Sequence, residues 1–256
     1  MPATIVMEPR NERMLKRGAP GARIWEIDFL RGVSIILMVF YHAGYDLYHL
    51  CGIKSLFGVF IPIDGPVLQT LVVIFAGLFV VLSGASSTLS RNNPRRALKL
   101  LAVALVVTAA TYVFDASSAI HFGILHFLGV SILLYGLALE KAGPWPCAAA
   151  AAGVFAGALG VSFLTRNVPI HFDWLLPFGI ISDTYFSIDY FPLFPWFGVY
   201  LLGAVIGKAF YGPRRSLLGP WKPVPLINAA GRHSLAIYVL HQPLILGVLY
   251  LAGLLR

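Results

Sequence analysis

Five ionisable side chains interrupt an otherwise apolar run at residues 27–49: Asp28, Arg31, His42, Asp46 and His49. Their spacing gives them meaning. His42 lies 11 residues beyond Arg31. At ~100° per residue that is about 20° past three full helical turns, so both side chains share one face. Along the axis they stand ~16 Å apart at 1.5 Å per residue. Asp28, one turn before Arg31, can pair with it. Asp46, one turn after His42, can hold an imidazole N–H, which fixes the tautomer and raises basicity. His49 continues the stripe. A guanidinium at one end and an imidazole deeper on the same face suit a long, thin, anionic substrate. The plainer alternative has Arg31 reaching lipid headgroups and His42 bonded inside a bundle.

The rest of the chain says what positions that stripe. Of 256 residues, 58% are hydrophobic and 12% charged, and the mean hydropathy is +0.80. A soluble domain carries about 25% charged residues, so this composition excludes a soluble globular protein, a disordered tail and a secreted disulfide scaffold. It implies an all-α, polytopic integral membrane bundle. A bilayer core needs about 20 apolar residues per helix. Six segments qualify directly: 67–89, 96–114, 122–140, 145–164, 190–211 and 233–255. The stripe at 27–49 makes a seventh. The runs lack period-2 alternation and are too long for barrel strands. Residues 168–182 are apolar but broken by Pro169 and Pro177, which predicts a re-entrant or surface segment.

Charge fixes the expected orientation. With seven spans and the N-terminus inside, 16 of the 19 basic residues fall on the cytoplasmic side, all but Lys54, Arg166 and Arg256. The net charge of +8 is therefore mainly a topology signal, and no nucleic-acid partner is expected. Residues 1–22 read as a basic cytoplasmic arm without the apolar core of a signal peptide, and 23–256 as one transmembrane domain. Cys51 and Cys147 fall near opposite faces and are not expected to pair. No metal-ligand spacing is present. Gly153, Gly157 and Gly160 in the alanine-rich fifth span predict close helix packing.

The run Arg23-Ile-Trp-Glu-Ile-Asp28-Phe-Leu-Arg31-Gly-Val-Ser, continuing to Phe40-Tyr-His42, resembles the first helix of membrane acyltransferases. The Arg31 to His42 interval is similar to that of the acyltransferase-3 group. A closer resemblance is to bacterial relatives of the heparan-α-glucosaminide N-acetyltransferase catalytic domain. It continues at Leu82–Asn93, Phe122–Gly129, Phe191–Gly198 and Gly231–Pro243, covering nearly the whole chain from Arg23. This resemblance implies acyl transfer, with acetyl as the default, from a cytoplasmic acyl-CoA to a hydroxyl or amine of a sugar or envelope glycan. His42 would serve as general base or acyl-carrying nucleophile, supported by Asp46; either His42 or His49 could be the family's reactive histidine. Arg31, with Asp28, and Arg91, Arg95 and Arg96 would meet the donor's phosphates, beside a helix opened by Pro94. His49, His126, His241 and Gln242 are candidate substrate contacts. A multi-pass protein of the inner membrane is implied; oligomeric state is open. The alternative is a small transporter or flippase relaying protons through Asp28, Arg31, His42 and Asp46.

Overall fold

The structure, a computed structural model, describes residues 24–255 apart from 57, 61, 118, 167 and 220–223. The basic arm and Lys222 lie outside the described residues. Eight α-helices form the described part of the chain: α1 Trp25–His49, α2 Pro66–Leu89, α3 Asn93–Phe114, α4 Ile124–Ala138, α5 Pro144–Thr165, α6 Leu193–Phe210, α7 Pro225–Arg232 and α8 Ser234–Leu251. Four of them (α2, α3, α5 and α7) have proline at one of their first two positions, where its missing N–H costs nothing. A two-residue hairpin, β1 Ser55–Leu56 with β2 Val59–Phe60, joins α1 to α2.

Six of the helices, all except α4 and α7, are long and apolar enough to cross a membrane. The predicted fourth span is different. Helix α4 has 15 residues and reaches ~22 Å, short of the ~30 Å hydrocarbon core. It is instead the heart of the bundle: Phe127, Ile132 and Tyr135 are fully buried among α3, α4 and α6. The last part of the coil preceding it folds back against α3: Ala119, Ile120, Phe122 and Gly123 are buried, whereas 115–117 are exposed. Thr108 donates its hydroxyl to the Ile120 carbonyl at 2.6 Å, and Ile120 N–H donates to Thr111 at 3.1 Å. Thr108 sits ~9 Å before the end of α3. A second coil, preceding α6, joins the first: Phe191 N–H bonds the Phe122 carbonyl, and the Ser187 hydroxyl bonds that of Ala119. Irregular backbone at such depth persists only where protein encloses it or water reaches it.

The last predicted span also differs. It is preceded by α7, which breaks at His233 before α8 begins. Helix α7 lies backbone to backbone on α1. A Cβ at Gly32 would stand 2.0 Å from the Ile227 carbonyl, and one at Gly231 would stand 1.8 Å from that of Asp28. Helices α2 and α6 meet the same way through Gly84 and Gly203. Small residues at crossings let helices gain dispersion contact where lipid supplies no hydrophobic drive. In α5 the expected glycine stripe holds at one position only: Gly157 packs on Phe194, while Gly153 and Gly160 face open space. Residues 168–182 do not span; they contain one 3-10 turn, Leu176–Phe178. Both cysteines are free.

Gly203→Ala should therefore force α2 and α6 apart and cost about 1–3 kcal/mol by overpacking. Gly160→Ala should be neutral. Thermal melts of the two detergent-solubilised variants check the contrast, and equal melting temperatures would contradict the packing.

Candidate functional site

Helix α1 carries the predicted stripe, and its neighbours decide what each group does. At its N-terminal end Asp28 and Arg31 pair across one turn at 3.6 Å. The Arg31 guanidinium also donates to the Ser86 hydroxyl of α2, which passes its own hydrogen to the Leu82 carbonyl. The next serine is approached from α3. Ser87 accepts from Arg96 Nη1 at 3.2 Å and from the Tyr200 hydroxyl at 2.7 Å, and donates to the Ser83 carbonyl. Two guanidiniums thus converge on adjacent serines of α2. Arg91 and Arg95 are exposed. The Arg95 amide, which the sequence offered to an anion, is capped by the Asn92 side chain at 3.0 Å.

Deeper on α1 lies His42, half-buried. Its Nδ1 is 2.9 Å from the Met38 carbonyl. A carbonyl only accepts, so Nδ1 carries the hydrogen and Nε2 keeps the free lone pair. His241 of α8 repeats the arrangement. Its Nδ1 donates to the Tyr238 carbonyl at 2.6 Å, and its Nε2 is buried without a protein partner. The two rings meet edge-on with centroids 4.9 Å apart. Helices at opposite ends of the chain therefore bring two imidazoles together.

Asp46 does not hold His42, contrary to the expectation from spacing. Its carboxylate, 3% exposed, accepts from Gln242 Nε2 at 2.7 Å. The reason is local: a carbonyl one turn back on α1 already satisfies the His42 N–H, leaving Asp46 to the nearest donor on α8. Asp46 thus fastens the helix that carries His241. His49 stands apart from the pair. It is exposed at the end of α1, bonded to Asp64 at 3.1 Å and against Tyr45.

His126 enters from α4. Thr108 gives its only hydrogen to Ile120, so it accepts from His126 Nε2 at 3.2 Å, and His126 Nδ1 is left bare and buried. His126, Asp189 and Tyr238 line one narrow void. Asp189 belongs in sequence to an outer loop of carboxylates and aromatics that suits either sugar binding or simple solvation, yet its Oδ2 accepts from the Tyr238 hydroxyl at 2.6 Å and the Ile124 N–H at 3.0 Å. It supplies the helix cap that Gly123 cannot, and a Cβ at Gly123 would collide with it. Burial pushes the Asp189 carboxyl above its ordinary value, opposed by the two hydrogen bonds and by His241. In sequence Tyr238 stands within the Gly231–Pro243 motif, one turn before His241.

An imidazole whose Nδ1 carries the hydrogen has an Nε2 that can take a proton from a hydroxyl or amine, or attack a carbonyl carbon. Both imidazoles sit in a polytopic bundle whose described part has six helices long and apolar enough to cross a membrane. The family model described as heparan-alpha-glucosaminide N-acetyltransferase, catalytic, matches residues 23–243, and the chain belongs to that family of membrane acetyltransferases. No curated protein and no solved structure gives a significant match. The matched stretch contains both arginines, all the histidines described above, Asp46, Asp189, Tyr238 and Gln242.

Removing the Gln242 amide should leave the Asp46 carboxylate buried without that donor. Gln242→Leu is expected to cost about 1–3 kcal/mol of stability. A melting temperature equal to wild type in detergent would show that this bond contributes nothing.

Proposed function

We propose that this protein transfers an acyl group, acetyl by default, from a cytoplasmic acyl-CoA to a hydroxyl or amine of a sugar or envelope glycan. The observation that carries the reading is the His42–His241 pair, whose unprotonated nitrogens stand where α1 and α8 meet. On the same face of α1, ~16 Å away, Arg31 supplies positive charge for the donor's phosphates. Asp28 orients Arg31, and Arg96 adds a second guanidinium through the neighbouring serine. The exposed Arg91 and Arg95 attract the anion from solution. The pantetheine arm then runs along α1 and brings its thioester to His42, which acts as general base or as acyl-carrying nucleophile. Asp46 acts at one remove by holding Gln242.

His126, His241 and Gln242 each retain a buried polar atom free for an acceptor substrate. His49, bonded to Asp64 near the surface, serves at the rim of the site rather than in the chemistry. In this reading the protein works in the inner membrane with its N-terminus inside, residues 1–22 being cytoplasmic and 23–256 one catalytic unit. Membership in an acetyltransferase family weighs against the transporter alternative.

The test is to incubate purified protein with labelled acetyl-CoA and a panel of sugar acceptors. Label is expected on the acceptor together with free CoA thiol. Acceptor flux into proteoliposomes without CoA consumption would overturn the reading in favour of transport. His42→Ala should lower turnover by about 100-fold or more at unchanged expression, whereas His49→Ala should retain most activity. Arg31→Gln should raise the donor KM about tenfold with little change in kcat, as expected for lost ground-state binding.

A further inference from the structure

Only His241 and Leu249 of the 18 residues in α8 are buried. An apolar helix surface gains no hydrophobic energy by leaving lipid for a neighbouring helix, so polar bonds weigh heavily in where it sits. Helix α8 makes two such bonds, both to carboxylates. Tyr238 donates to Asp189, and Gln242 donates to Asp46. The two bonds bracket His241, one a turn before it and one at the next residue. Asp189 is itself fixed by the first N–H of α4, so the position of α8 is referred to the rigid centre of the bundle.

The surroundings of the two imidazoles also differ. His42 stands on the arginine-bearing helix. Beside His241 are Tyr238 and Asp189, at the foot of the two coils that fold into the bundle. Irregular backbone at that depth suits a polar approach route.

We propose that Tyr238 and Asp189 are positioning residues for His241, and that His241 is the base for the acceptor while His42 carries the acyl group. This rests on the acyltransferase reading. His42 Nε2 attacks the thioester carbonyl; a C–N bond forms, the C–S bond breaks, and the electron pair leaves with sulfur. His241 Nε2 then takes the acceptor's O–H or N–H proton as the acceptor atom bonds the acyl carbon. The C–N bond breaks, restoring neutral His42, and the proton passes from His241 to the thiolate.

The experiment is a double-mutant cycle with rapid mixing on the full chain, using acetyl-CoA and an acceptor found by the labelling panel. His241→Ala should still release about one CoA thiol per protein in the first turnover while transfer falls about 100-fold. Tyr238→Phe, which removes one hydroxyl, should leave that burst intact and slow transfer about tenfold. The double variant should match His241→Ala, because Tyr238 acts only through that ring. Asp189→Asn should behave as Tyr238→Phe does. Independently of turnover, carbethoxylation of His241, read by mass spectrometry against His49, should change rate in Tyr238→Phe. Multiplying effects in the double variant, or loss of the burst along with transfer in His241→Ala, would overturn the assignment. Wild-type protein with neither burst nor transfer would instead remove the acyltransferase reading, and the carbethoxylation result would still judge the positioning role.

Discussion

A polar atom inside hydrocarbon has no water to fall back on, so each one must find a partner within the protein or remain costly. This constraint arranges the bundle. The Asp46 carboxylate ties α1 to α8 through Gln242, and Asp189 ties α8 to α4 through Tyr238 and the Ile124 N–H. Ser86 and Ser87 tie α2 to α1, α3 and α6 through Arg31, Arg96 and Tyr200. Interhelical bonds of this kind contribute about 0.6 kcal/mol on average in a membrane. That is small singly, yet apolar faces offer no competing hydrophobic term. Glycine contacts bring the helices close, and the polar bonds choose their register.

The same constraint makes the unsatisfied atoms informative. Some stand singly, such as Asn228 Oδ1 on α7. His241 Nε2 and Gln242 Oε1, by contrast, occupy adjacent residues, the first beside His42, and His126, with its bare Nδ1, lines the void that Tyr238 and Asp189 also line. Free hydrogen-bonding capacity is a cost to stability that binding or catalysis can repay. Both histidines of the central pair spend their Nδ1 hydrogen on a carbonyl of their own helix, so the free nitrogen is Nε2 in each. Own-helix bonds orient the rings without help from the partner helix.

Run length and helix periodicity made much of this legible in the sequence. Six long spans and the shared face of Arg31 and His42 follow from apolar run length and from 3.6 residues per turn. The short α4 does not follow, because hydropathy measures apolarity and says nothing of where a helix starts. Residues 115–121 fall between two predicted spans, and only the bonds of Thr108 and Thr111 reveal that Ile120 folds inward. Periodicity likewise sees one helix at a time. It placed Asp46 beside His42, the one partner within its view, whereas the real partner is on α8. The meeting of His42 with His241 depends on tertiary packing, and so does the inward turn of Asp189.

The two ends of the α1 stripe differ in how charge is balanced, and the difference fits the chemistry. Arg96 is held by a neutral hydroxyl, and Arg31 shares its guanidinium between a hydroxyl and Asp28. Hydroxyls satisfy hydrogen-bond geometry without cancelling charge, so Arg96 keeps a positive field at this end, while Asp28 offsets part of that of Arg31. Near the imidazoles the accompanying groups are carboxylates, Asp46 and Asp189, each engaged by an uncharged donor from α8. Gln242 holds the Asp46 carboxylate close to its neighbour in sequence, His241. Proton transfer from a hydroxyl to an imidazole creates a cation in a place poor in water, where fixed charges act most strongly. A carboxylate already in position stabilises that cation as it forms, without any group having to move.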